Sequence, residues 1–238
     1  MYDVNDAKAY FEEFSKRYDF NYNLVFSPNI SAAAMVRNNT QTFVLRKNHK
    51  FSKNQLEVLA NHEIGVHMVT SFNALNQPLS IFSNGIPNNV ETQEGLAVYA
   101  EYMSGCLTLT RLKELSYRVI AADSLAKGYD FSATFDLLFN QYKLNRDKAY
   151  SITQRVHRGG GFTKDRLYLS GLQKIYKYAQ NGGDLDILLI GKMSLEYCDV
   201  VNKLLDLGLA NSSKFFTDSF VMNDNSNKNL DFILKSLK

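Results

Sequence analysis

The chain has 238 residues and is 45% hydrophobic, with 16 Phe and 14 Tyr, which is ample apolar material for one large domain with its own core. Its 27 basic and 24 acidic residues leave a net charge of +3, too balanced to argue for a nucleic-acid partner. No apolar run approaches membrane-spanning length, and Met1 to Asp6 lacks the basic and apolar regions of a secretory leader, so no membrane partner and a cytoplasmic setting are expected. Cys106 and Cys198 form neither a C-x-x-C pair nor a disulfide framework, and read as small buried residues in a reducing compartment.

Taken in order, Tyr10, Phe11, Phe14 and Tyr18 stand at helical spacing and predict an amphipathic helix over 6–18. Residues 22–26 read as extended. Residues 31–37 and 40–47, joined by Asn38-Asn39, predict a β-hairpin whose best strand is 42–45. Ser52 and Gln55 form a capping box for the next helix. That helix carries a dense apolar run over 56–72, interrupted by His62-Glu63-Ile64-Gly65-Val66-His67.

Burying two imidazoles and a carboxylate costs free energy unless something pairs with them. A zinc ion held by His62 and His67, with Glu63 free beside a water, answers that need. Two satisfied core histidines and a chance glutamate are the alternative. The spacing is i, i+5, about 140° around an ideal α-helix, so both rings cannot reach one ion unless a π-type distortion brings them onto one face. Gly65, between them, lowers the steric cost of such a distortion.

Residues 76–89, with Pro78, Gly85 and Pro87, read as a loop that returns the chain to a second buried helix. There Glu91, Glu94 and Glu101 share one stripe among Ala97, Val98 and Ala100. Two His and one Glu make a catalytic zinc set that leaves the fourth position to water. Glu94, in the most apolar company, is the favoured third ligand and Glu91 its substitute.

The paired segments His62-Glu63-x-x-x-His67 and Gln93-Glu94-Gly95-Leu96-Ala97 resemble the QEGLA-motif family. That family includes bacterial flavohaemoglobin expression modulators and eukaryotic microtubule-associated tyrosine carboxypeptidases. The resemblance spans about 36–191. It implies a zinc metallopeptidase of gluzincin type, with His62, His67 and Glu94 as ligands and Glu63 as general base. It also implies that the hairpin before the metal helix lies along the substrate's main chain, as an exposed edge can by strand addition; an ordinary hairpin is the competing reading.

The rest of the chain reads as helices over 108–126, with Leu109, Leu112, Leu115, Val119 and Ile120 inward; through 142 from a cap at Ser132; over 147–158, stopped by Gly159-Gly160-Gly161; over 164–180, capped by Thr163; and over 195–207, capped by Ser194 and ended by Gly208. Residues 223–229 are polar and expected to be mobile, ahead of a short closing helix over 231–237. The expected fold is a single helix-dominated α+β domain over 1–238, which can be the catalytic part of a longer protein.

Arg155 and Arg158, one helical turn apart, are candidates to hold a substrate's terminal carboxylate, because arginine forks match carboxylates. A basic helix end meeting its own dipole is the plainer reading. His157 is a candidate pocket wall or donor; the family resemblance puts an aromatic residue there. Tyr168, in a segment that resembles the family, is a candidate to stabilise an oxyanion. The expected activity is metal-assisted hydrolysis at a peptide or protein C-terminus, with a terminal tyrosine implied by the resemblance. The rival is a non-catalytic binding or regulatory protein with structural zinc or none, and Glu63 argues against it, since a structural site needs no base between its ligands.

Overall fold

The computed structural model describes residues 1–158, 164–222 and 227–236. Helix α1 (Val4–Ser15) opens with a capping box in which the Asp3 carboxylate accepts from Asn5 N and Asp6 N while Asp6 accepts from Asp3 N. Its inner face buries Ala7, Phe11 and Phe14.

Strands β1 (Asn23–Ser27), β2 (Ala34–Arg37) and β3 (Thr42–Arg46) form one sheet in the order β1-β3-β2. β2 and β3 are the expected hairpin, in antiparallel register from Ala34 opposite Leu45 to Arg37 opposite Thr42. β1 pairs parallel to β3 on its other side. The strongest strand in the sequence is therefore the centre of the sheet, with Phe43, Val44 and Leu45 fully buried, and β2 is the hairpin strand with a free edge.

One long helical run follows: α2 (Lys53–Leu59), a π-helix (Ala60–Met68) and α3 (Val69–Leu75). The π-distortion falls where the i, i+5 histidines require it. Ser52 caps the run by accepting from Gln55 N at 3.1 Å. The reciprocal half of the box is not made; Gln55 instead meets His49 Nε2 at 3.3 Å. The run is tied down from outside. Thr217 donates its hydroxyl to the Gly65 carbonyl at 2.6 Å, inside the π-stretch. Fully buried Asn73 bonds the backbones of Leu189, Lys214 and Phe215.

The loop expected over 76–89 contains a short helix, α4 (Ile81–Asn84), which buries Phe82. Then come α5 (Asn89–Met103), α6 (Leu109–Ala126), α7 (Phe131–Asp136), α8 (Arg146–His157), α9 (Lys164–Gln180), α10 (Cys198–Asp206), α11 (Asp218–Met222) and α12 (Lys228–Ser236). Asp130, not Ser132, caps α7. Leu112 and Leu115 of α6 are buried as expected, but Leu109 is exposed. Ser194 caps a turn, Leu195–Tyr197, that leads into α10. The glycine stop at 159–161, the Thr163 cap, the mobility expected of 223–226 and the end of the closing helix at 237 lie outside the described residues. Both cysteines are buried and free.

Helix α5 is the axis of the fold. Leu96 to Met103 fill the larger of two main apolar cores together with α6 and α9, while Ile64 and Met68 of the π-helix reach the other, which holds α1 and the sheet. α5 and α9 cross with their backbones in contact. A Cβ on Gly95 would sit 2.4 Å from Gly171 C, and one on Gly171 would sit 2.2 Å from Glu91 O. A Cβ on Gly65 would make only ordinary contacts, at 3.6 Å, so close packing is not what places glycine there.

Gly95→Ala or Gly171→Ala should therefore cost about 2 kcal/mol or more by pushing two backbones apart. Gly65→Ala should stay within about 1 kcal/mol of the parent. Urea denaturation of the three variants checks this; equal midpoints would remove the helix crossing as the reason for the glycines.

Candidate active site

The π-stretch turns His62 and His67 toward each other, with ring centroids 4.9 Å apart and planes at 84°. Glu94 enters between them from α5. Its Oε2 lies 3.4 Å from His62 Nε2 and 3.8 Å from His67 Nε2. Donor atoms of these three residues all fall within 4.8 Å of one another, a group that could hold a metal ion. Glu94 Oε2 is buried and has no hydrogen-bond partner among the described residues. Glu91, the substitute ligand considered from sequence, is turned away toward Lys174 on α9.

Behind His62 stands a buried pair that the sequence did not disclose as a unit. His62 Nδ1 lies 2.9 Å from Glu101 Oε1. The fully buried Glu101 carboxylate accepts two bonds from Arg111, from Nε and Nη2, each at 3.1 Å. This fixes the ring so that Nε2 faces Glu94, the support that metal-ligating imidazoles generally have. Glu101 follows Glu94 by two turns on the same face, which is a readable signal; Arg111 on α6 carried none.

The electrostatics match. Burial works to raise the Glu101 carboxyl, but Arg111 and His62 outweigh it and hold it at about 2. Burial works to lower His62, but hydrogen bonds to Glu101 and Glu94 carry it up to about 10. Glu94 would be raised by burial, yet the two histidines hold it well below the usual carboxylate range. With Glu101 paired by Arg111, the Glu94 carboxylate is the one that calls for positive charge beside the rings, whether a proton or a metal cation.

Glu63 sits beside this group, partly exposed, with no hydrogen bond or ion pair among the described residues. It lines a cleft whose two parts meet at His62, Glu63, Tyr168, Arg155 and Arg158. One part, of about 570 Å³, runs past His67 and Glu94 along Ala34, Met35 and Val36 of β2. The other, of about 820 Å³, runs past Val58 and Leu59 toward Arg111, Glu114, Arg118 and Lys148.

Tyr168 reaches the site from α9, its ring 6.4 Å from that of His62 and tilted by 25°. Its hydroxyl is pushed up by burial and by Glu94, against the pull of Arg155 and Arg118. Arg155 lines both parts of the cleft but gives its Nε to Asp165 at 2.6 Å. Arg158 is exposed at the rim and donates to Ser31 Oγ at 2.6 Å. The structure does not bring His157 into the cleft. Its Nε2 is 3.0 Å from Thr134 Oγ1 and its ring packs on Phe131 of α7, because α8 turns this face away from Arg155 and Arg158.

Glu101→Gln keeps the shape but gives up the charge that orients His62. It should weaken divalent-metal binding about 10- to 100-fold with all three donor residues intact. Competition titration of zinc against a chelator measures this; unchanged affinity would make the Glu101–Arg111 pair purely structural.

A search of curated proteins finds no match to this chain. A family model described as microtubule-associated tyrosine carboxypeptidase matches residues 1–238, the whole chain. The chain belongs to the microtubule-associated tyrosine carboxypeptidase family.

Proposed function

We propose that this protein is a zinc-dependent carboxypeptidase that removes a C-terminal residue, tyrosine first among the candidates. The observation that carries the reading is the convergence of His62, His67 and Glu94 on one point, with the Glu63 carboxylate free beside it at the junction of the cleft. The donor set fits the ion: two imidazoles and one carboxylate are a known zinc set, and the unpartnered Glu94 Oε2 is the buried atom such an ion would satisfy. Zinc, when bound, acidifies water and polarises a carbonyl.

The protein's own groups do the rest. Glu63 takes the proton of the attacking water and returns it to the leaving amine, which asks for a carboxylate that no other side chain occupies. Tyr168, kept neutral by burial, is assigned to donate its O–H to the oxyanion of the tetrahedral intermediate. The free edge of β2 offers main-chain groups to an extended peptide, the gluzincin manner of holding substrate. Arg158 and the part of Arg155 not taken by Asp165 offer donors to that peptide where the two parts of the cleft meet.

The test is direct. Purified protein should bind close to one zinc per chain and lose it in Glu94→Ala. Glu63→Gln should keep the zinc yet lose hydrolysis of a peptide ending in tyrosine by at least about 100-fold, in line with loss of a general base. Amidating the peptide's C-terminus should suppress cleavage. Full activity in Glu63→Gln, or cleavage of internal bonds in free and amidated peptides alike, would defeat the reading.

A further inference from the structure

In a carboxypeptidase the two sides of the scissile bond are unequal. A long chain lies on one side and a single residue ending in a carboxylate on the other. The cleft has the same asymmetry. The part along β2 offers a strand edge for an extended chain. The other part passes Val58 and Ile152, both buried apolar side chains, and ends at a group of cations.

Those cations are not equally committed. Arg111 is taken by Glu101 through two bonds. Arg155 is taken by Asp165. Arg158 stands exposed at the rim on Ser31. Arg118 is different: its one carboxylate, Glu114, also serves Lys148, whose Nζ lies 3.1 Å from Glu114 Oε2. Arg118 and Lys148 thus share one carboxylate. The Arg118 Nε is buried and has no hydrogen-bond partner among the described residues. Part of the Arg118 side chain is nonetheless exposed in the cleft it lines, and a carboxylate is the group that best fits a guanidinium there. Arg118 lines the same part of the cleft as His62, Glu63 and Tyr168.

We infer that Arg118, backed by Lys148, is the residue that receives the terminal carboxylate of the departing amino acid, with Val58 and Ile152 against its side chain. The sequence pointed to Arg155 and Arg158 for this role; here they are left to the rest of the peptide. The assignment of Arg118 rests on the carboxypeptidase reading above, and the experiment separates the two.

The measurement is calorimetric affinity in the Glu63→Gln background, where no turnover interferes, for a ten-residue peptide ending in tyrosine as the free acid and as the amide. The free acid should bind about 10- to 100-fold more tightly, the worth of a charged hydrogen-bonded contact. Adding Arg118→Met should erase that preference while leaving affinity for the amide. Glu114 keeps Lys148 as its partner in this variant, so the fold is not left with an uncompensated carboxylate. Glu114→Gln, which removes the competing acceptor, should instead increase the preference. A preference that survives Arg118→Met, or that Glu114→Gln leaves unchanged, overturns the assignment while the carboxypeptidase reading stands. Equal affinity for acid and amide in the Glu63→Gln parent overturns both.

Discussion

Everything at the centre of this molecule follows from two carboxylates buried on one face of one helix. Glu94 and Glu101 stand two turns apart on α5, Glu101 fully buried and Glu94 mostly so, at the wall of the cleft. An isolated buried carboxylate would be untenable, so each must find positive charge. Glu101 finds it in the Arg111 fork and the His62 ring. Glu94 finds only imidazole edges at 3.4 and 3.8 Å, which leaves its Oε2 short of a partner. The first carboxylate is satisfied by protein and orients His62; the second keeps an oxygen without a hydrogen-bond partner among the described residues. Support and site are thus the same motif used twice on one helix.

For that arrangement to work, α5 must sit at a fixed depth against both neighbours. On one side the Gly95–Gly171 crossing lets α9 approach until the two backbones touch, which brings Tyr168 over His62. Any side chain at either glycine would move Tyr168 and Glu94 apart together. The glycine inside Gln93-Glu94-Gly95-Leu96-Ala97 is therefore a spacing device for the site, not a source of flexibility.

Much of this was legible in the residues. The i, i+5 histidines pointed to a π-distortion because no regular helix turns both to one side, and the polar groups within an apolar run marked the residues that converge. Helix limits such as Lys164–Gln180 were equally plain from periodicity. What escaped was long-range. Nothing local tells β1 to pair parallel with β3, so the hairpin was readable but the third strand and the sheet order were not. Nothing in α6 marks Arg111 as the partner of a glutamate ten residues earlier. Where two capping residues compete, as Asp130 and Ser132 do ahead of α7, sequence does not arbitrate. Charge spacing along α8 marked Arg155 and Arg158, which both line the cleft, but could not show their partners, Asp165 and Ser31, which come from other elements.

The π-helix itself poses the last question, because nine residues of it are locally unfavourable and need a reason to persist. Glycine is not the reason, since Gly65 has room for a side chain. The support is tertiary. Thr217 takes up the Gly65 carbonyl, and Asn73, one turn beyond the distortion, is bound at both its oxygen and nitrogen by the backbones of 189, 214 and 215. Segment 214–217 is thus a brace on the helical run that carries His62 and His67. Its Phe215 joins the stack of Phe20 and Phe72, which anchors the brace to the core around α1 and the sheet. A distortion held this way survives because relaxing it to a regular α-helix would break a buried hydrogen bond and rotate Asn73 out of four more. The approach of the two histidine rings is therefore held in part by a residue 152 positions downstream of Gly65.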